Sequence, residues 1–338
     1  MASQHLFHLN VAPPQRSTSQ GSRTDVNQLD FPVLSGMSLS LLRLHPNGMR
    51  EPHWHPNANE LGYCLEGKAV MTLLGPGGQH DTFLVEPGTL SFVPMGTLHH
   101  IESIGPGPLK MLLCFDNENP EDIDLTSGIG SMSDSVLGKT FHLDEKFFSD
   151  LHADVKSVFI AEKSRHEPLS DSWKVNRYKL DIESEQPQVE SRGGWVKMSN
   201  SFLMPTLSGL ALYSLKLEKG GAREPHWHPN AHELNYLISG SARIVLLSPN
   251  GKVDMFDMKA GDMSFLPRGY FHSIENIGDD PARFAVYFNN QNPSDIGLSA
   301  GLGAYSNDVL SSLFKLPVSY FEKLPKFQSD LFIVSGGG

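Results

Sequence analysis

The sequence predicts an all-β protein of two tandem barrels, each followed by short helices. Three observations carry that prediction. The chain repeats itself at long range, each repeat is a series of short apolar runs cut by Gly and Pro turns, and both repeats hold the same histidines and glutamate at the same spacing.

The repeat comes first because it sets the architecture. REPHWHPNANEL begins at Arg50 and REPHWHPNAHEL at Arg223, an offset of 223 − 50 = 173. The same offset relates Leu34-Ser35-Gly36 to Leu207-Ser208-Gly209, Phe92-Val93-Pro94 to Phe265-Leu266-Pro267, and Pro14-Gln15 to Pro187-Gln188. It needs no insertion from about residue 14 to 151, and a period this long means two whole domains rather than a solenoid. The expected domains are 1–162 and 177–338. The polar, patternless stretch 163–176 reads as the linker.

Within each repeat, MSLSLLRLHP, GYCLEGKAVMTLLG, TFLVEPGTLSFVP and LKMLLCFD are runs of β-formers and leucine bounded by turn sequences such as Gly-Pro-Gly-Gly. Short strands at regular spacing indicate a sandwich or barrel. After the strands, 132–151 and 305–324 carry Leu and Phe at helical spacing behind a Ser, Asp or Asn start, so a helix is expected in each.

Composition narrows the partners. With a net charge of −11 and no run of Lys or Arg, neither nucleic acid nor an anionic membrane surface is an expected partner. No apolar stretch approaches the roughly 20 residues of a membrane helix. The N-terminus shows no basic start followed by an apolar stretch. Cys64 and Cys114 sit in apolar runs and read as buried thiols, so a cytoplasmic location is expected. Assembly into a homo-oligomer is left open.

The chemistry lies in a constellation present twice. His53 and His55 flank Trp54, so on a strand both imidazoles face one side. Glu60 follows, and His99 comes from a later strand; the second copy has His226, His228, Glu233 and His272. Three neutral imidazoles and a carboxylate suit Mn, Fe, Ni or Zn better than Mg or Ca. A barrel interior would tolerate such polar groups only if a cation compensated them. Two divalent transition metals per chain are therefore expected. His5, His8, His45, His80, His142, His152, His166 and His232 have no histidine partner in the other copy and are expected at the surface.

The spacing of these residues resembles the two cupin motifs. The first is His-x-His, four residues, Glu, six residues, Gly; the second is Gly, five residues, Pro-x-Gly, two residues, His, three residues, Asn. The terminal Asn is Asn276 in the second repeat and is replaced by Ser103 in the first. The resemblance implies two β-jelly-roll barrels (the double-stranded β-helix) with the metal inside.

Arg50 and Arg223, three residues before the first metal histidine, are similar to the substrate arginine of the oxalate decarboxylase-like bicupins. That likeness implies manganese, a small carboxylate substrate such as oxalate, and conversion to formate and carbon dioxide. It also implies a proton-donating glutamate on a lid after the last barrel strand. The family's Ser-Glu-Asn lid is absent as such. FDNENPEDIDLTSGIG (115–130) stands there; the family lid placed on it puts Asp122 nearest the acid with Glu121 adjacent, and the second repeat has Asp295 and Ser294 at these positions. Asp122 and Asp295 read equally as loop or capping residues. Glu121, acidic in one copy alone, is the first candidate for the acid. Oxalate oxidase or other dioxygenase chemistry, and a non-catalytic storage-like or ligand-binding role, are the alternatives.

Overall fold

In the computed structural model, residues 3–149, 151, 157–165 and 168–336 are described. They are mainly β-strand with a few short helices, as expected. Two compact units form: residues 12–181 with 203–208, hereafter the first barrel, and residues 1–11, 182–202 and 209–338, the second. The first eleven residues, expected with the first domain, thus lie in the second unit. The stretch expected as a linker belongs to the first.

Each unit combines a seven-stranded and a six-stranded sheet. In the first barrel, Leu42, Met111 and Phe115 from one sheet and Met71, Phe83 and Ile101 from the other share one apolar core. Leu215 and Phe284 meet Ile244, Phe256 and Ile274 in the same way in the second. Alternating side chains make this arrangement: each strand sends every second residue inward. Cys64 and Cys114 are free and buried as expected, and burial pushes the Cys64 thiol up to about 12.

The first strand of each repeat serves the other barrel. Leu6–Phe7 pairs antiparallel with Met263–Leu266, with Leu6 opposite Ser264. The equivalent Lys179–Asp181 pairs with Thr89–Val93, with Lys179 opposite Ser91. Leu6 and Lys179 are 173 residues apart, as are Ser91 and Ser264, so the same edge is completed twice by exchanged strands. His5, expected at the surface, is buried by this pairing and holds the Phe265 carbonyl through Nδ1 at 3.0 Å. His152 and His166 lie outside the described residues.

The expected helix over 132–151 is two helices, Asp134–Phe141 and Lys146–Ser149, and residue 150 lies outside the described residues. His142, left-handed at φ 55°, ends the first, and Lys315 at φ 56° ends Asn307–Phe314 in the second repeat. Ser133 and Ser306 cap these helices by accepting from the backbone N–H of Val136 and Val309. Further short helices, Leu125–Gly130 and Leu298–Gly303, end the segments 115–130 and 288–303. Among the described residues, no helix is long and apolar enough to cross a membrane.

Candidate metal centres

In the first barrel the strands Gly48–Trp54 and Leu98–Ser103 run antiparallel with His53 directly opposite His99. His55 follows the end of its strand, and Glu60 begins Glu60–Glu66 in the other sheet. Both sheets therefore contribute residues to the cluster. His53, His55, Glu60 and His99 bring one donor atom each within 4.8 Å of one another, and His226, His228, Glu233 and His272 do the same; all eight are buried.

The rings are held from behind. His53 Nδ1 lies 2.8 Å from the Glu51 carbonyl and His99 Nδ1 2.9 Å from that of Thr97. The second barrel repeats this for His226 with Glu224 and His272 with Tyr270. Donation from Nδ1 leaves Nε2 as the lone-pair nitrogen facing the glutamate, the tautomer a metal needs. Buried and without a hydrogen-bond partner in the first barrel are His99 Nε2 and Glu60 Oε1. A divalent cation would satisfy both, so the donor set fits one.

Beside each cluster lies an arginine on a phenylalanine. Arg50 Nη1 donates to the Phe159 carbonyl at 3.2 Å, and its guanidinium carbon sits 4.1 Å from the Phe159 ring centroid. Arg223 repeats this with Phe332, at 2.9 Å and 3.4 Å. Both phenylalanines have positive φ, 61° and 64°, and both N–H groups donate at 2.6 Å to a buried glutamate, Glu51 or Glu224. Strain repeated in both copies and secured by a buried carboxylate marks an arginine seat built on purpose.

The segment that follows the last barrel strand crosses this seat. Asp122 places one carboxylate oxygen 3.1 Å from Arg50 Nη2 and the other 2.9 Å from His55 Nδ1. Asp295 pairs with Arg223 and approaches His226 Nε2 to 3.9 Å. Glu121 and Ser294 are exposed, while their backbone carbonyls lie 3.0 Å from His55 Nδ1 and His228 Nδ1.

A family model described as Cupin matches residues 7–147 and 180–318, both repeats. The chain belongs to the cupin family.

As a cupin it is homologous to oxalate decarboxylases. It is 28% identical to the Bacillus subtilis oxalate decarboxylase OxdC over 316 residues, covering 90% of this chain and 81% of the relative. An oxalate decarboxylase of Arthroderma benhamiae is 24% identical over 328 residues, 88% of this chain and 77% of that one. A solved structure of the B. subtilis enzyme, which has Mn(II) centres, superposes with a TM-score of 0.89 at 25% identity, covering all of this chain and 90% of that chain.

Electrostatics divide the imidazoles of this cupin. Burial lowers both His55 and His228, but Asp122 and Glu60 raise His55 to about 9 and Glu233 raises His228, so these two give up a proton when a cation binds. Burial, with His99 and Arg50 close by, holds the His53 imidazole well below its ordinary value and so neutral; burial with Arg223 and His272 does the same for His226. Burial alone would raise the Glu60 carboxyl, but His55 and His99 bring it down to about 2, so it is ionised.

The cavity at the second centre is about 20 Å³ and is lined by Arg223, His226, His228, Glu233, Asp295 and Phe332 among others. That is room for about one water. Asp295 fills the space beside the Arg223 guanidinium.

Glu51, Glu224, Phe159 and Phe332 escaped the sequence reading, although each pair stands at the 173-residue offset. The two glutamates lie inside the quoted repeat motif. The phenylalanines lie just beyond residue 151, where the comparison of the two copies stopped. Arg23, whose Nη2 lies 2.8 Å from the Asp122 carboxylate, was missed for the opposite reason: its counterpart is Val196, so repetition hides it.

Proposed function

We propose that this bicupin is a manganese-dependent carboxy-lyase that converts oxalate to formate and carbon dioxide. The observation that carries the reading is the seated arginine beside a complete three-histidine, one-glutamate set, in a chain homologous to oxalate decarboxylases. Manganese is supported by the Mn(II) centres of the similar B. subtilis enzyme and by a donor set of imidazoles and one carboxylate. The two free, buried thiols support a cytoplasmic setting.

The metal, when bound, supplies Lewis acidity to a substrate carboxylate oxygen. Arg50, its plane fixed by Phe159, takes the second carboxylate through charge-assisted hydrogen bonds, in the place where Asp122 now rests. The carbon–carbon bond then breaks, carbon dioxide departs, and the remaining carbon accepts a proton to give formate.

Asp122 is ill-suited to give that proton. On the seat, burial raises its carboxyl, but Arg23 and His55 overcome that effect and hold it far below the carboxylate range, and leaving the seat to admit substrate takes it away from the reacting carbon. Glu121 is the proposed donor. Neighbouring residues of an extended segment point to opposite sides, so the turn that withdraws Asp122 carries Glu121 inward. The same turn in the second barrel would bring in Ser294, which has no carboxyl, so proton delivery is assigned to the first barrel.

The test is metal analysis of purified protein followed by oxalate turnover with manganese and oxygen. Formate and carbon dioxide are expected. Hydrogen peroxide without formate would establish the oxidase reading instead, and neither product would remove oxalate as substrate.

A further inference from the structure

The two barrels share their metal ligands but not the wall beside them. Val196, Met198 and Tyr213 of the second barrel correspond, 173 residues earlier, to Arg23, Asp25 and Ser40 of the first. The strand Gly21–Val26 pairs with Ser38–Leu44 so that Arg23 lies opposite Leu42 and Asp25 opposite Ser40. Leu42 belongs to the apolar core, and cross-strand partners share a face, so Arg23 and Asp25 project into the barrel.

There Arg23 meets Arg50. Arg23 Nη2 is 2.8 Å and Arg50 Nη2 3.1 Å from the same Asp122 oxygen, and the Phe159 ring lies 4.8 Å and 4.1 Å from the two guanidinium carbons. One carboxylate oxygen thus bridges two guanidiniums. Each cation also keeps a carboxylate of its own: Asp25 is 2.7 Å from Arg23 Nε, and Asp124 is 2.7 Å from Arg50 Nη2. Withdrawal of Asp122 leaves neither arginine as an uncompensated buried charge. In the second barrel Gly297 stands where Asp124 stands in the first, and Arg223 has one guanidinium's worth of donors to offer.

We propose that Arg23 is a second substrate-positioning residue, which with Arg50 clamps the far carboxylate of a dicarboxylate and makes the first barrel the dicarboxylate site. The proposal rests on the reading above, in which substrate takes the place of Asp122, and extends it to selectivity. A monocarboxylate reaches the metal but leaves the clamp unfilled. A dicarboxylate fills both, provided its second group falls where the Asp122 carboxylate lies now.

The experiment uses manganese-loaded protein in a His226→Ala background, so that the first barrel alone is read. Calorimetry measures binding of oxalate, malonate, succinate and acetate to the parent, Arg23→Val, Arg23→Lys and the triple variant Arg23→Val/Asp25→Met/Ser40→Tyr, which copies the second barrel's wall. Arg23→Val is expected to weaken oxalate about tenfold or more and acetate by less than about twofold, at unchanged metal content. Arg23→Lys, keeping charge without the planar fork, should fall between.

Equal weakening of oxalate and acetate, or full oxalate affinity in Arg23→Val, overturns the clamp. If Arg23→Val fails to hold metal, the triple variant decides, and parental oxalate affinity there has the same meaning. Binding of malonate or succinate in place of oxalate, lost in Arg23→Val, upholds the clamp and removes oxalate as substrate. Absence of binding by every dicarboxylate in the parent overturns the clamp.

Discussion

His53 and His226 occupy equivalent positions in separate clusters, so their substitutions should be separable. His53→Ala is expected to remove one equivalent of metal and leave the second centre filled, with His226→Ala the mirror case; elemental analysis of each variant checks this. At the lid, Glu121→Gln should lower formate production by about a hundredfold or more, the usual scale for loss of a general acid. Asp122→Asn and Asp295→Asn should cost less, with metal retained in all three; product assays decide, and a larger loss in Asp122→Asn would move the acid to that residue. The two candidate metal clusters were legible in the sequence because eight residues recur at one offset. What could not be read was which way the lid carboxyls point. Glu121 and Asp122 are neighbours of similar chemistry, and only the fold, which pairs the following Ile123–Asp124 with His53–Trp54, turns one toward solvent and the other onto Arg23 and Arg50. The departure from the family motif at Ser103 also finds its meaning in the fold. Asn276 ties a turn together through Leu217 O, Asp280 O and the Gly278 N–H, whereas the Ser103 hydroxyl is too short for that and is buried without a partner.

Among the elements, strands were easier to read than helices. The apolar runs became Ser38–Leu44, Glu60–Glu66, Ala69–Gly75 and Leu109–Phe115 because alternating burial matches the period of a strand. The helix Leu125–Gly130 was not foreseen, since LTSGIG has two glycines and little helix propensity; it exists because the chain must turn away after pairing Ile123–Asp124 with the ligand strand. The glycine after the first motif makes a sharper prediction. Gly67 turns the chain between Glu60–Glu66 and Ala69–Gly75 at φ 85°, and a Cβ there would meet the Pro108 carbonyl oxygen at 2.4 Å. Gly96, at φ 75°, has open space around its Cβ position. Both resist substitution on backbone grounds, by about 1–2 kcal/mol for an L-residue in the left-handed region. Gly67→Ala adds a collision with backbone that cannot move cheaply, so urea unfolding should show it as clearly the more destabilised of the two. Equal losses would mean that the turn at Gly67 relaxes.

At the scale of the whole chain, duplication was plain in the sequence, but the ownership of the first strand was not. Leu-Phe at residues 6–7 and Lys-Leu at 179–180 are too short and too unlike to show a pattern, and only the register onto Met263–Ser264 and Leu90–Ser91 reveals that they are equivalent. Removing residues 1–11 should therefore destabilise the second barrel and spare the first. Leu9 is fully buried, and losing it alone costs about 2–3 kcal/mol. Denaturant unfolding followed by the metal content of each centre would register this, and an unchanged second barrel would mean that the edge at Met263–Leu266 needs no partner. The exchange also sets an order of events on the ribosome. The first barrel has all of its strands once residue 181 has been made, but Phe7 waits for Met263, which is 263 − 7 = 256 residues later. At roughly 5–20 residues per second that wait lasts about 13–50 seconds. Throughout it, the strand Leu6–Phe7 has no partner and stays open to proteases and chaperones until the second barrel takes it in.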